Sequence, residues 1–233
     1  MMEGLPAYVS PFFIATTFLT VGFLFYAVKQ AGTDSLPAKL LLFLIAFWLV
    51  FQASLALGGF FQVTSATPPR IFAFAAFPAL LTAILFVVFF PRTLIDRLPL
   101  RTLTLLHVIR VPVEITLLWL FQSGQIPQAM TFEGRNLDIL SGLSAPLIYF
   151  LAFRKRSPNR PLLIAWNIVA LLLLANIVMI AVLTFPSPLQ AMALDQPNRA
   201  VMYFPFNWLP AVVVPIVFFS HIASLRKLFT NSR

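Results

Sequence analysis

Residues 101–124 read RTLTLLHVIRVPVEITLLWLFQSG. About 20 mostly apolar residues are needed for a helix to cross the hydrocarbon core of a bilayer. This run has that length and lacks the period-two alternation of a barrel strand, so it is expected to be a membrane-spanning helix. Three ionisable side chains interrupt it: His107, Arg110 and Glu114. At about 100° per residue they share an arc of roughly 60°, with Thr104 at its edge. One charge at mid-membrane costs roughly 2.5–3.5 kcal/mol, so this face must point into a bundle or a wet cavity. Arg110 and Glu114, at i and i+4, are expected to pair. Pro112 lacks an N–H for the Val108 carbonyl, which predicts a kink between the two charges.

Outward from this segment the chain repeats the pattern. Apolar runs at 8–28, 39–61, 71–90, 102–122, 137–153, 161–185 and 204–228 are separated by charges and prolines. Pro37, Pro99, Pro161 and the Pro68–Pro69 pair fall near the expected ends, as helix breakers should. The fold expected is an all-α integral membrane protein: one polytopic domain, residues 1–233, forming a bundle of seven helices. With no basic n-region and no convincing cleavage site, the first run is expected to be a retained anchor.

Composition agrees. Of 233 residues 60% are apolar and 10% charged, and mean hydropathy is +0.93. An ordinary soluble domain is about 25% charged. The net charge of +9 therefore reads as an orientation signal, and nucleic acid is not expected as a partner. Lys29 and Lys39, then Arg92, Arg97 and Arg101, then Arg154, Lys155, Arg156 and Arg160, then Arg226, Lys227 and Arg233 fall on one side. Only Arg70, Arg135 and Arg199 fall on the other. Twelve against three in short loops predicts an outside N-terminus and a cytoplasmic C-terminus, in the plasma (inner) membrane of a cell. A six-span alternative, with the fifth run re-entrant, would move the Arg154–Arg160 cluster outside.

Counting residues from the charged ends gives depth. His107, Asn167 and His221 are expected to form a polar layer in the cytoplasmic half. Glu114, Gln52 and Asn176 lie deeper toward the outside. Asn167 and Asn176 are nine apart, so only one can easily face the fourth span. Before the fifth run, Glu133, Arg135, Asn136 and Asp138 crowd into six residues. Asn136 or Asp138 is suited to cap that helix, and Ser141, Gly142 and Ala145 give it a small face for close packing. The same residues could instead form the mouth of an outward-facing pocket. The longest loop, about 186–203, carries Asp195, Asn198 and Arg199.

Several chemistries are excluded or unsupported. With no Cys, disulfides, thiolate-bound metals and thiol catalysis are out. No retinal-binding Lys lies inside a late span, and no HExxH, GxSxG or Walker A motif occurs. No metal site and no cofactor are expected. Haem b held by His107 and His221 is the alternative, since their depths match.

Three functions remain open. The favoured one is a ligand-binding or transport-like bundle. Its site residues would be His107, Arg110, Glu114, Gln52, Asn176 and Asp138, with lipid and a small anionic solute or headgroup as partners. The others are an intramembrane enzyme or redox protein, and a structural or assembly subunit.

Overall fold

The structure, a computed structural model, describes residues 4–230 and is all-helical. Six helices are long and apolar enough to cross a membrane, and a seventh apolar helix is shorter. They are α1 (Val9–Ala31), α2 (Leu36–Leu57), α3 (Phe72–Phe89), α4 (Leu100–Gln122), α5 (Ile139–Phe153), α6 (Arg160–Leu183) and α7 (Leu209–Thr230). The expected runs and the observed helices coincide to within a few residues. The length and apolarity of these segments are those of a helical membrane protein.

Local chemistry explains the boundaries. The Ser35 hydroxyl accepts the Ala38 N–H at the start of α2, with Pro37 in its first turn. Asn159 Oδ1 accepts the Leu162 N–H at the start of α6, beside Pro161. Both are N-caps followed by prolines whose missing N–H costs nothing there. At the end of α1 the chain turns at Gly32 with φ +102°, a conformation side chains disfavour. Within α1, Thr16, Thr17 and Thr20 return their hydroxyl protons to the carbonyls four residues back. Three polar groups thus sit in an apolar helix without an unmet donor.

The packing is uneven. In α4 and α7, 61% of the apolar window is buried, against 22% in α2 and 17% in α3. The two most charge-bearing helices are therefore the centre of the bundle. α7 packs on α3, α4 and α6, while α4 packs on α1, α5 and α7.

Three departures from regular helix concentrate around this centre. The expected kink in α4 is a 3-10 turn at His107–Ile109, beside the Val108 carbonyl that Pro112 cannot serve. α3 and α7 each open with a π-helical turn, Phe72–Ala76 and Leu209–Val213, and these two turns pack on each other. Pro78 and Pro215 withhold the N–H groups due to Phe74 and Ala211. α2 supplies both: Gln52 Nε2 donates to Phe74 O and Trp48 Nε1 to Ala211 O, each at 2.9 Å. In return Trp208 Nε1 donates to Leu49 O and Asn207 Nδ2 to Gln52 O. The largely exposed α2 is thus fastened at one turn, residues 48–52.

Candidate functional site

α4, α5, α6 and α7 converge on Arg110, which is 2% exposed. Its Nη1 donates to Asp138 Oδ1 at 2.6 Å and to the Ala170 carbonyl at 3.1 Å. Its Nη2 lies 2.7 Å from His221 Nε2. A guanidinium can only donate, so Nε2 is the acceptor and the ring proton sits on Nδ1. That proton goes to Asn167 Oδ1 at 2.8 Å, and Asn167 Nδ2 donates to Leu163 O. The chain Asp138–Arg110–His221–Asn167 has one consistent set of donors and acceptors.

The expected i, i+4 pair between Arg110 and Glu114 is replaced by this arrangement. The guanidinium pairs with Asp138 from the start of α5. Glu114 Oε1 accepts instead from Asn136 Nδ2 at 2.6 Å, and the same amide donates to Met130 O. Asp138 occupies the N-cap position of α5, but its carboxylate makes no cap bond there. Asn136 Oδ1 takes the Asp138 N–H at 3.0 Å, so Asn136 orders the turn and Asp138 is released to the guanidinium.

The close approach that permits this pairing comes from the small face of α5. A Cβ on Gly142 would sit 2.9 Å from Val111 Cγ2, 3.0 Å from Val111 N and 3.2 Å from Arg110 Cβ. Ser141 and Ala145 are buried on the same face. Only a residue without a side chain lets the two backbones come together here.

The structure brings His107, Asn167 and His221 together. His107, Asn167 and His221 are all buried. His107 lies flat on His221, with ring centroids 4.0 Å apart and planes 24° apart, and Trp166 meets it edge-on at 5.2 Å. His221 is fully enclosed. Both of its ring nitrogens are engaged and the two imidazoles are stacked. Bis-imidazole haem ligation would set the rings end-on to a metal between them, an arrangement this stacking does not offer.

The other residues singled out in the sequence fall elsewhere. Gln52 is buried, but it serves the junction of α2 with α3. Asn176 faces outward and donates to the Arg135 carbonyl. Glu133 and Arg135 are exposed on the loop, while Asn136 turns in.

Next to the cluster lies a cavity of about 90 Å³ between α3, α4, α6 and α7. Both π-helical turns contribute to its wall, through Phe72, Ala76, Leu209 and Pro210. Leu80, Leu174 and Ile177 make much of the rest apolar. Polar exceptions are Glu114, Asp138 and Asn198. Glu114 Oε2 is buried with no hydrogen-bond partner among the described residues, and so are both side-chain polar atoms of Asn198. In the sequence Asn198 is only a polar residue of the longest loop. The structure draws that loop inward: Asn198 N–H donates to Thr184 O, and Gln196 Nε2 to Phe121 O and Ile126 O.

No curated protein and no solved structure matches this chain. A family model described as a domain of unknown function, DUF8737, matches residues 67–229, a stretch that holds α3 to α7 and the whole Arg110 cluster. The chain belongs to that family.

Proposed function

We propose that this protein is a ligand-binding or transport-like membrane bundle, with Glu114 as the group that meets the ligand. One observation carries the reading: Glu114 Oε2 is buried and unpartnered, on the wall of an otherwise largely apolar cavity. A buried polar atom without a partner costs about 1–3 kcal/mol, more when charged, and such sites are where ligands, ions or protons act. Two irregular helical turns lining the same cavity support it, because π-turns recur at functional sites. Arg110 has a supporting part. Its charge is engaged by Asp138, so it fixes the helices around the cavity and is not the partner of an anionic solute.

In this reading all seven helices cross the membrane, α5 included. The N-terminus is outside and the Lys- and Arg-rich loops are cytoplasmic, in a plasma membrane. The cavity then lies in the outer half of the bilayer, on the side of Glu114 away from His107.

Native mass spectrometry of the detergent-purified chain tests the proposal, with Leu174→Trp as the cavity-filling control. A small molecule is expected to travel with the natural chain and to be lost from a folded Leu174→Trp variant. Equal adducts on both, or none on either, would contradict it. A second reading, a purely structural bundle, draws on the hydrogen bonds that join Arg110 to Asp138 and His221, and the same result decides between them.

A further inference from the structure

The charge and donor count around the cavity points to a class of ligand. This step rests on the cavity being a ligand site. One guanidinium faces two carboxylates, those of Asp138 and Glu114, and it bonds directly to Asp138. His221, as the acceptor of an Arg110 N–H, adds no positive charge. Glu114 receives one neutral amide N–H, at Oε1, and nothing at Oε2. The cavity wall thus presents a spare carboxyl oxygen without a partner. It presents no spare cation, because Arg110 does not line it. An acid placed here would add a second carboxyl group beside Glu114, with no spare cation on the wall to pair with either. An alcohol would supply a donor but no charge to pair with an ionised Glu114.

The walls set the rest of the ligand. Leu80, Leu174, Ile177 and Val214 offer apolar surface, and about 90 Å³ is less than the roughly 150 Å³ apolar cavity that accepts benzene. That leaves room for a short chain. Asn198, 1% exposed and with its amide unengaged, offers one more acceptor at the cavity edge. The larger apolar cleft between α1, α2, α3 and α7, lined by Leu41, Trp48 and Phe219, has no comparable unpartnered carboxylate with which to choose a ligand.

We propose that the cavity binds a small organic ammonium, its N–H donor on Glu114 Oε2 and its alkyl part against α3, α6 and α7. Charge-assisted hydrogen bonds of this kind are about twice as strong as neutral ones. The ligand occupies a buried oxygen that the fold leaves unmet, and an amine entering uncharged takes up the Glu114 proton, so the ion pair forms with no added net charge.

Calorimetric titration of the full detergent-solubilised chain with n-butylammonium, n-butanol and n-butanoate tests this at one pH. n-Butylammonium is expected to bind at least tenfold more tightly than the other two, and to lose at least tenfold in Glu114→Gln. Leu174→Trp keeps the carboxylate but fills the cavity, and it too is expected to abolish binding. It serves as the check should Glu114→Gln fail to fold. Preferential binding of butanol or butanoate, lost in Leu174→Trp, would overturn the ammonium assignment and leave the cavity a ligand site. Butylammonium binding unchanged in Leu174→Trp would place the amine elsewhere and overturn the proposal. Silence from all three probes, with no adduct in the native mass spectrum, would overturn the site itself.

Discussion

Arg110 shows how a single side chain can be both the costliest and the most connected residue of a bundle. Its guanidinium reaches three helices other than its own, through Asp138, the Ala170 carbonyl and His221. Removing one partner of a buried ion pair costs about 3–5 kcal/mol, because the other charge is left uncompensated. Arg110→Met is therefore expected to destabilise the fold by about that amount in reversible unfolding in mixed micelles. Arg110→Met combined with Asp138→Leu should recover most of the loss. Combination with Glu114→Leu should not, because Glu114 is bonded to Asn136 and not to Arg110. Equal rescue by the two doubles would contradict the pairing. Of this cluster, His221 and Asn167 were readable, with His107, as a polar layer because helical rise is fixed at about 1.5 Å per residue, so counting from the charged ends ranks depth. The partner of Arg110 was not readable. It depends on how far α5 leans onto α4, which the Gly142–Val111 contact sets, and on Asn136 taking over the turn.

Among the elements, α2 is held in an unusual way. Its apolar faces are largely exposed, and its fastening is a set of hydrogen bonds from one turn to carbonyls and indole or amide groups of α3, α7 and the residues before α7. Two of these bonds replace N–H groups that Pro78 and Pro215 lack. The prolines were visible in the sequence, and so was Gln52 as a buried polar residue. The link between them was not, because it needs the lateral register of α2 against α3. Gln52→Leu leaves Phe74 O without that donor and should cost about 1–3 kcal/mol. In a Pro78→Ala background, where a backbone N–H returns to the same turn, the cost should fall by about 1 kcal/mol. Strict additivity of the two substitutions in thermal unfolding would show that Pro78 and Gln52 do not share this carbonyl.

At the scale of the whole molecule, the apolar runs and their helices agree because hydrophobic length is a local property of the chain. The short run that becomes α5, with 15 residues, is where local length stops deciding. Its start, Asp138, is buried against Arg110, and its end meets the basic loop of Arg154, Lys155 and Arg156. Whether the bundle crosses six or seven times turns on this helix, and so does the sheltering of the Arg110 cluster between α4, α5, α6 and α7. The chain has no cysteine, so single introduced thiols report cleanly. Glu133 and Arg156 are exposed on either side of α5. The decisive measurement is labelling of Glu133→Cys and Arg156→Cys in intact cells with a membrane-impermeant maleimide. A crossing α5 predicts reaction at position 133 from outside and at position 156 only after the membrane is opened. Reaction of both positions from the same face would mean that α5 does not cross, and would contradict the seven-helix account.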